Sequence, residues 1–514
     1  MNLKKTLYTT KSIINNKVIL YLISRYITYF IQFLSSIFIA IKFGPYYFGI
    51  WGFMLLLISY ISYFNFGISN SVNIFMVQNK SNDDHLKNIV ADSLVLIGII
   101  TLLIVLFTVY YFIFGIKAFE KYELGNYFYL ICIIGIMFHF NSLFGTIYRV
   151  KNRLFEMAFQ QSVVPLLVFI SLFLATGQTL LQLLLGMYLL GTVAAIIIFI
   201  ANKKIPWGGK PSAKGCSSVL KKGIYLFIYN MCFFFIVLST RTMISIYYKV
   251  EDFGYFTFAY TLANSIFLFL EAFSIVAFPK VIDKLYSNSK ENVKNVINLL
   301  KVNYVTLSYG IMFMILIVFP FFINYIPKYE GTLKALNLIA MAVLLFTNSF
   351  GHGAYLMAQN REIQLSVISL FSLCLNIAIG LVLILMLKVT YEYVIIATLI
   401  SYLAFSYLST YFSRKQLGEK TTFSSVILDF FPIRLLCPYI ISVIVIGFNL
   451  TYLICLPLLS FIILNKVELN QVISTIKTII VSPNVVDIGE QKGYKSPFNP
   501  PLEKWKDEIN SHLD

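Results

Sequence analysis

Six ionisable side chains, Arg25, Asp92, Arg241, Glu271, Asp429 and Arg434, interrupt long apolar runs. Charge is costly against lipid, so such groups face a bundle interior, a watery path or one another. The chemistry they suit is binding and charge neutralisation. A guanidinium stays cationic, and its planar fork matches the oxygens of a phosphate. Arg25 lies seven residues into its run, about 10 Å deep at the helical rise, and Glu271 lies at a similar depth from the same end of its own run. The two either pair, or Arg25 binds an anion while Glu271 tunes it. Arg241 sits six residues from the opposite end with no acid at its level, so it either snorkels outward or awaits an anion. Asp92, Asp429 and Arg434 are closer to the ends of their runs; Asp92 is a candidate for coupling or charge pairing.

Four further polar residues fall in two corresponding runs. His139 and His352 read as cavity-lining or proton-coupling groups. Asn141 and Asn348 read as hydrogen-bonding groups, toward sugar hydroxyls or between helices. Cysteines at 132, 216, 232, 374, 437 and 455 show no metal-ligand spacing and read as small hydrophobes. No metal, cofactor or catalytic group is expected.

The elements that position these residues are membrane spans. Apolar residues make up 59% of 514 positions, charged residues 12%, and the mean hydropathy is +0.80. A soluble chain would be about one quarter charged. Runs such as "SLVLIGIITLLIVLFTVYYFIF" meet the roughly 20 residues a helix needs to cross hydrocarbon. They lack the alternation of a barrel strand. The expected fold is an all-α polytopic membrane protein with fourteen spans, or twelve at the lower count. Two parallel six-helix halves would enclose a central cavity, with a C-terminal helix pair beyond them. The expected division is 1–202, a linker at 203–221, 222–413, a helix pair at 425–465, and a tail at 466–514.

Charge placement orients the spans. Of the 40 lysines and arginines, 30 fall on the side shared with the N-terminus, seven on the other and three within spans. Positive charge accumulates on the cytoplasmic side, so both termini are expected there. The basic start, "MNLKKTLYTTKSIINNK", lacks the short apolar core and cleavage site of a signal peptide. The net charge of +17 is a topology and anionic-leaflet signal, with no nucleic-acid partner implied.

Two echoes suggest the halves. "FGPYYFGIWGF" at 43–53 aligns with "VEDFGYFTF" at 250–258 when Gly49 is set on Gly254, and "NSLFG" at 141–145 aligns with "NSFGHG" at 348–353. Halves of equal topology commonly flank a pathway used by alternating access. Pro45 is expected to end the first span, with Gly44 and Gly49 allowing close backbone packing. Tyr46, Tyr47 and Trp51 suit the headgroup belt.

With "AIKFGPYYFGIWGFMLLLISYISYFNFGISNSV" at 40–72 and "YYKVEDFGYFTFAYTLANSI" at 247–266, the chain resembles the O-antigen and polysaccharide flippase family, within the multidrug, oligosaccharidyl-lipid and polysaccharide exporter superfamily. Gly44, Phe48, Gly49, Tyr63 and Gly67 occupy its N-terminal motif positions. The resemblance implies a flippase of the bacterial inner membrane, not an enzyme. Its substrate would be an undecaprenyl-diphosphate-linked oligosaccharide repeat unit, moved from the cytoplasmic to the outer leaflet. Arg25, Arg241, Asn141 and Asn348 would then bind substrate, and Glu271, Asp92, His139 and His352 would couple or pair charge. The implied partners are that lipid-linked glycan and membrane lipids, with room for a polysaccharide polymerase complex. The rivals are a multidrug or cation antiporter and a lipid II flippase of the same superfamily.

Overall fold

The computed structural model describes residues 17–79, 82–114, 120–202, 206–264, 284–285, 290–448, 450 and 453–481. In chain order the α-helices are α1 (Lys17–Tyr63), α2 (Ile68–Gln78), α3 (Asp83–Ile113), α4 (Phe128–Val150), α5 (Leu154–Ser171), α6 (Gly177–Ala201) and α7 (Ala213–Tyr247). Then come α8 (250–264), α9 (Lys290–Leu300), α10 (Thr306–Asn324), α11 (Thr332–Leu344), α12 (Phe350–Ala358), α13 (Glu362–Leu381) and α14 (Ile396–Leu417). The last four are α15 (Phe423–Phe430), α16 (Ile433–Gly447), α17 (Leu456–Leu464) and α18 (Lys466–Val481).

The expected fourteen spans are corrected. Among the described residues ten helices are long and apolar enough to cross a membrane, or up to twelve if each of two bent pairs is one span, and no strand occurs. Three features account for the difference. The first run is a single stretch, Leu20–Tyr63, where two spans were expected. Most of the run at 255–278 lies outside the described residues. The last two expected spans are replaced by pairs bent at 79° (α15 with α16) and 76° (α17 with α18).

The first of these stretches is nonetheless divided at Gly44. Its φ of 69° and ψ of 175° break α1 internally, a conformation open to glycine and strained for other residues. Pro45 then starts the next helical stretch, where its missing N–H costs nothing.

Helices α1 to α6 pack chiefly among themselves, most extensively α1 on α5 and α5 on α6, while α7 packs most extensively on α13, which also lies against α14. Outward faces stay apolar: α3 leaves Ile99, Leu102, Leu103 and Leu106 exposed, the surface a lipid-facing helix presents. Small polar side chains join helices inside the bundle. Thr240 on α7, Asn376 on α13 and Thr398 on α14 form one buried cluster, with Thr240 and Thr398 hydroxyls 2.8 Å apart and Asn376 donating to the Ile236 carbonyl at 2.8 Å.

The end of α7 opposite its lysine-rich start is capped by another segment. Lys121 donates to the carbonyls of Ser245, at 2.6 Å, and Tyr248, which satisfies orphan acceptors and suits the negative end of the helix dipole. Burial pushes its ammonium pKa down, partly offset by Asp252.

Candidate functional site

The echoed segments touch each other. A Cβ on Gly49 would run into the Val250 carbonyl, one on Gly254 into the Pro45 carbonyl, and one on Gly52 would lie 3.1 Å from the Cβ of Thr257. Glycine is therefore what lets α1 and α8 approach backbone to backbone. Aromatic rings close the rest of the seam. Phe48 meets Phe258 edge-on at 5.6 Å, Phe53 stacks on Tyr122 at 3.9 Å, and Tyr329 packs on both Phe48 and Phe258 while donating to the Ala40 carbonyl at 3.1 Å. Trp51, expected in the headgroup belt, is buried instead, edge-on to Tyr188 at 5.6 Å.

Arg241 lies at this seam. α7 carries it inward, and the side chain is 7% exposed. Its guanidinium reaches the Gly52 carbonyl at 3.4 Å and lies over the rings of Tyr260 at 4.8 Å and Phe253 at 6.0 Å. Its contacts thus come from both echoed segments. Nε has no hydrogen-bond partner and no carboxylate among the described residues pairs with it. Neutral carbonyl and ring contacts stabilise a cation weakly compared with an anion.

Arg25 is 8% exposed on the other half of α1. It donates to the Tyr29 hydroxyl at 2.5 Å, and its guanidinium lies 4.3 Å from that ring. Its Nε is also unpartnered, and no described carboxylate pairs with it. The expected partner, Glu271, lies outside the described residues. A phosphate could replace these weak partners with charge-assisted bonds at either guanidinium.

The other candidates have occupied surroundings. Asp92 accepts from the Ser212 backbone N–H at 2.7 Å, while Ser212 accepts from Gly215 N–H at 3.0 Å. A carboxylate and a hydroxyl together hold the start of α7, where the dipole favours negative charge. Asp92→Ala is therefore expected to lower stability by about 1–3 kcal/mol, read as an earlier thermal unfolding transition, while Asp92→Asn retains an acceptor for Ser212 and loses less. Asn141 donates to the Thr192 carbonyl at 3.1 Å and receives Gln160 at both its carbonyl and side-chain oxygens, tying α4 to α5 and α6. Asn348 donates to the Tyr309 hydroxyl at 3.0 Å, and its Oδ1 has no partner. The two asparagines thus sit in unlike surroundings despite their matching sequence positions.

His139 is buried with no hydrogen-bond partner at either ring nitrogen. His352 is buried with Nδ1 2.9 Å from the Ser413 hydroxyl and Nε2 3.6 Å from Asp429. Asp429 also receives Lys301 and, at 2.7 Å, Arg414. Lys301 belongs to a π-turn, Lys301–Val305, and Arg414 to α14. Sequence reading placed Asp429 and Arg434 at one span end but missed this cluster. Arg434 instead pairs with Glu468 at 3.3 Å and Asn465 at 2.6 Å. Among the described residues no group of three or more His, Cys, Asp or Glu side chains could hold a metal ion.

Comparison with known proteins agrees with this arrangement at the level of fold. The lipid II flippase MurJ in an inward closed conformation shares 14% identity over 90% of this chain and 99% of its own, with a TM-score of 0.65. An inward-facing multidrug resistance MATE family transporter of the MOP superfamily shares 13% identity over 77% of this chain and 98% of its own, at 0.61. An outward-facing conformation shares 12% over 80% and 96%, at 0.57. No curated protein matches the chain. The description "Polysaccharide biosynthesis protein" matches residues 14–286, just over half the sequence. The chain belongs to the polysaccharide biosynthesis protein family.

Proposed function

We propose that this protein carries a polyprenyl-diphosphate-linked oligosaccharide unit between membrane leaflets by alternating access, with Arg25 and Arg241 neutralising the diphosphate in turn. The observation that carries this reading is the pair of buried guanidiniums, each without a carboxylate among the described residues. A buried charge left so poorly partnered is costly, and a transiting anion would offset that cost in the loaded state. The lysine- and arginine-rich end faces the cytoplasm in this reading, with both termini there. The seam between α1 and α8 closes the opposite end, so Arg25 serves the open side and Arg241 is released when the seam parts.

The lipid tail stays at the membrane side. A groove of about 570 Å³ between α10 and the α17–α18 pair is lined almost wholly by apolar groups, Met314, Val318, Phe461 and Ile462 among them, a surface that suits a prenyl or acyl chain. Lipid II is the second reading of the substrate. It is supported by the likeness in fold to the lipid II flippase, which spans more of this chain than either of the two MATE conformations does. A multidrug exporter would share the fold, but cationic drugs are poorly matched to guanidiniums at the seam.

Depletion of the protein followed by analysis of inner-leaflet lipids separates these readings. The proposal expects a diphosphate-linked oligosaccharide unit to accumulate; accumulation of lipid II selects the second reading. Unchanged lipids with altered drug tolerance would overturn both.

A further inference from the structure

At the basic end of the bundle, α7 presents an unpaired cationic face. At 100° per residue, Lys214, Ser217, Ser218, Lys221 and Lys222 fall within one arc, while Cys216, Val219 and Gly223 fall on the opposite side. The arc is exposed and, with Phe75 of α2, lines a shallow, open recess of about 760 Å³. The opposite side is pinned: Ser71 donates to the Val219 carbonyl, and a Cβ on Gly223 would collide with Ser71 and Gly67. The lysines therefore project from a fixed backbone.

Topology alone asks for positive charge at this end, without asking that it converge or stay unpaired. Several other cations at the same end are paired: Lys151 with Asp83, Arg153 with Glu156, Lys294 with Glu419, Lys301 and Arg414 with Asp429, and Arg434 with Glu468. Lys214, Lys221 and Lys222 have no such carboxylate among the described residues. From Lys214 to Lys221 the helix rises about 10.5 Å, a span that three flexible ammonium groups can close around two linked phosphates. A single phosphate would engage fewer of them.

We propose that this recess is a loading site that captures the diphosphate head of a polyprenyl lipid before it reaches Arg25. The assignment deepens the transport reading above and rests on it for its place in the cycle, though the binding itself can be tested separately. Phe75 supplies an apolar wall, and the two serines can donate to phosphate oxygens. Point-charge ammoniums in water bind weakly and release readily, the property a loading site needs.

The full-length protein in nanodiscs is titrated with sugar-free polyprenyl diphosphate, with phosphatidylglycerol and with inorganic diphosphate. Replacing the three lysines together (Lys214→Gln, Lys221→Gln and Lys222→Gln) is expected to weaken polyprenyl diphosphate binding about tenfold. The same variant is expected to raise the transport KM with kcat unchanged. The corresponding triple exchange to arginine restores affinity, which rules out misfolding as the cause. Unchanged affinity overturns the proposal. So does an equal loss for phosphatidylglycerol, which would mark a general anionic-lipid patch, and so does tightest binding of inorganic diphosphate, which would mark a soluble ligand. If lysine-dependent binding holds but no glycan is transported, the loading site stands and the transport reading falls.

Discussion

Transport is expected to collapse in an Arg241→Met variant whose thermal stability equals or exceeds that of the unaltered protein. The two halves of this expectation come from the same geometry. Arg241 is 7% exposed, with a 3.4 Å bond to the Gly52 carbonyl and two ring faces as its main partners. Exchanging a buried, weakly partnered charge for an apolar side chain of similar length is often neutral or stabilising by about 1–4 kcal/mol. A purely structural arginine would show no loss of transport under such an exchange. Removing one partner of a desolvated charge pair costs about 2–5 kcal/mol of binding, which corresponds to a fall of roughly 30-fold to several thousandfold. Initial rates in proteoliposomes, together with melting curves, read both quantities. A destabilised variant that still transports at the original rate would assign Arg241 to structure alone.

The second large effect concerns the seam. The Cβ of a Gly52→Cys residue would lie 3.1 Å from that of Thr257, somewhat closer than the roughly 3.8 Å of a disulfide, so a Gly52→Cys/Thr257→Cys pair can be bridged with a small separation of α1 and α8. The native cysteines must first be replaced, since Cys374 and Cys455 are exposed. Oxidation of the pair is expected to stop transport, and reduction to restore it, because alternating access requires the two echoed segments to part. A cross-linked protein that transports at the reduced rate constant would show that the seam stays closed throughout the cycle.

The sequence announced some of this and concealed the rest for definite reasons. Membrane class and charge asymmetry are summed properties, legible without any contact. The glycine and aromatic echo at 43–53 and 250–258 was legible as a repeat, but not that the two copies pack on each other, since equal halves can meet through many faces. Trp51 illustrates the ambiguity: an aromatic near a span end suits a headgroup belt or a buried joint, and only the approach of Tyr188 selects the joint. The span count failed at the two bends beyond residue 423, where backbone geometry departs from hydropathy, and in the first run, where Leu20–Tyr63 is one stretch despite its break at Gly44. Asp92 was legible as an intramembrane acid. Its hold on Ser212, 120 residues away, carries no local signal. Likewise Asp429 read as an interfacial charge, because Lys301, His352 and Arg414 reach it from three separate elements.

Arg25 and Arg241 were singled out by depth alone, and the structure adds what each touches. Neither the rings beside them nor the carbonyl of Gly52 offers a counterion. A mobile anion would supply the charge that neither guanidinium finds among the described residues.

The most direct measurement compares, in proteoliposomes, transport of one glycan carried on a polyprenyl diphosphate with transport of the same glycan on an uncharged polyprenyl anchor. The unaltered protein is expected to favour the diphosphate by a factor of about 100 or more, and an Arg25→Gln/Arg241→Gln protein to lose that preference. Equal rates on both anchors in the unaltered protein, or a preference that survives the double exchange, would contradict the assignment of the guanidiniums to the diphosphate.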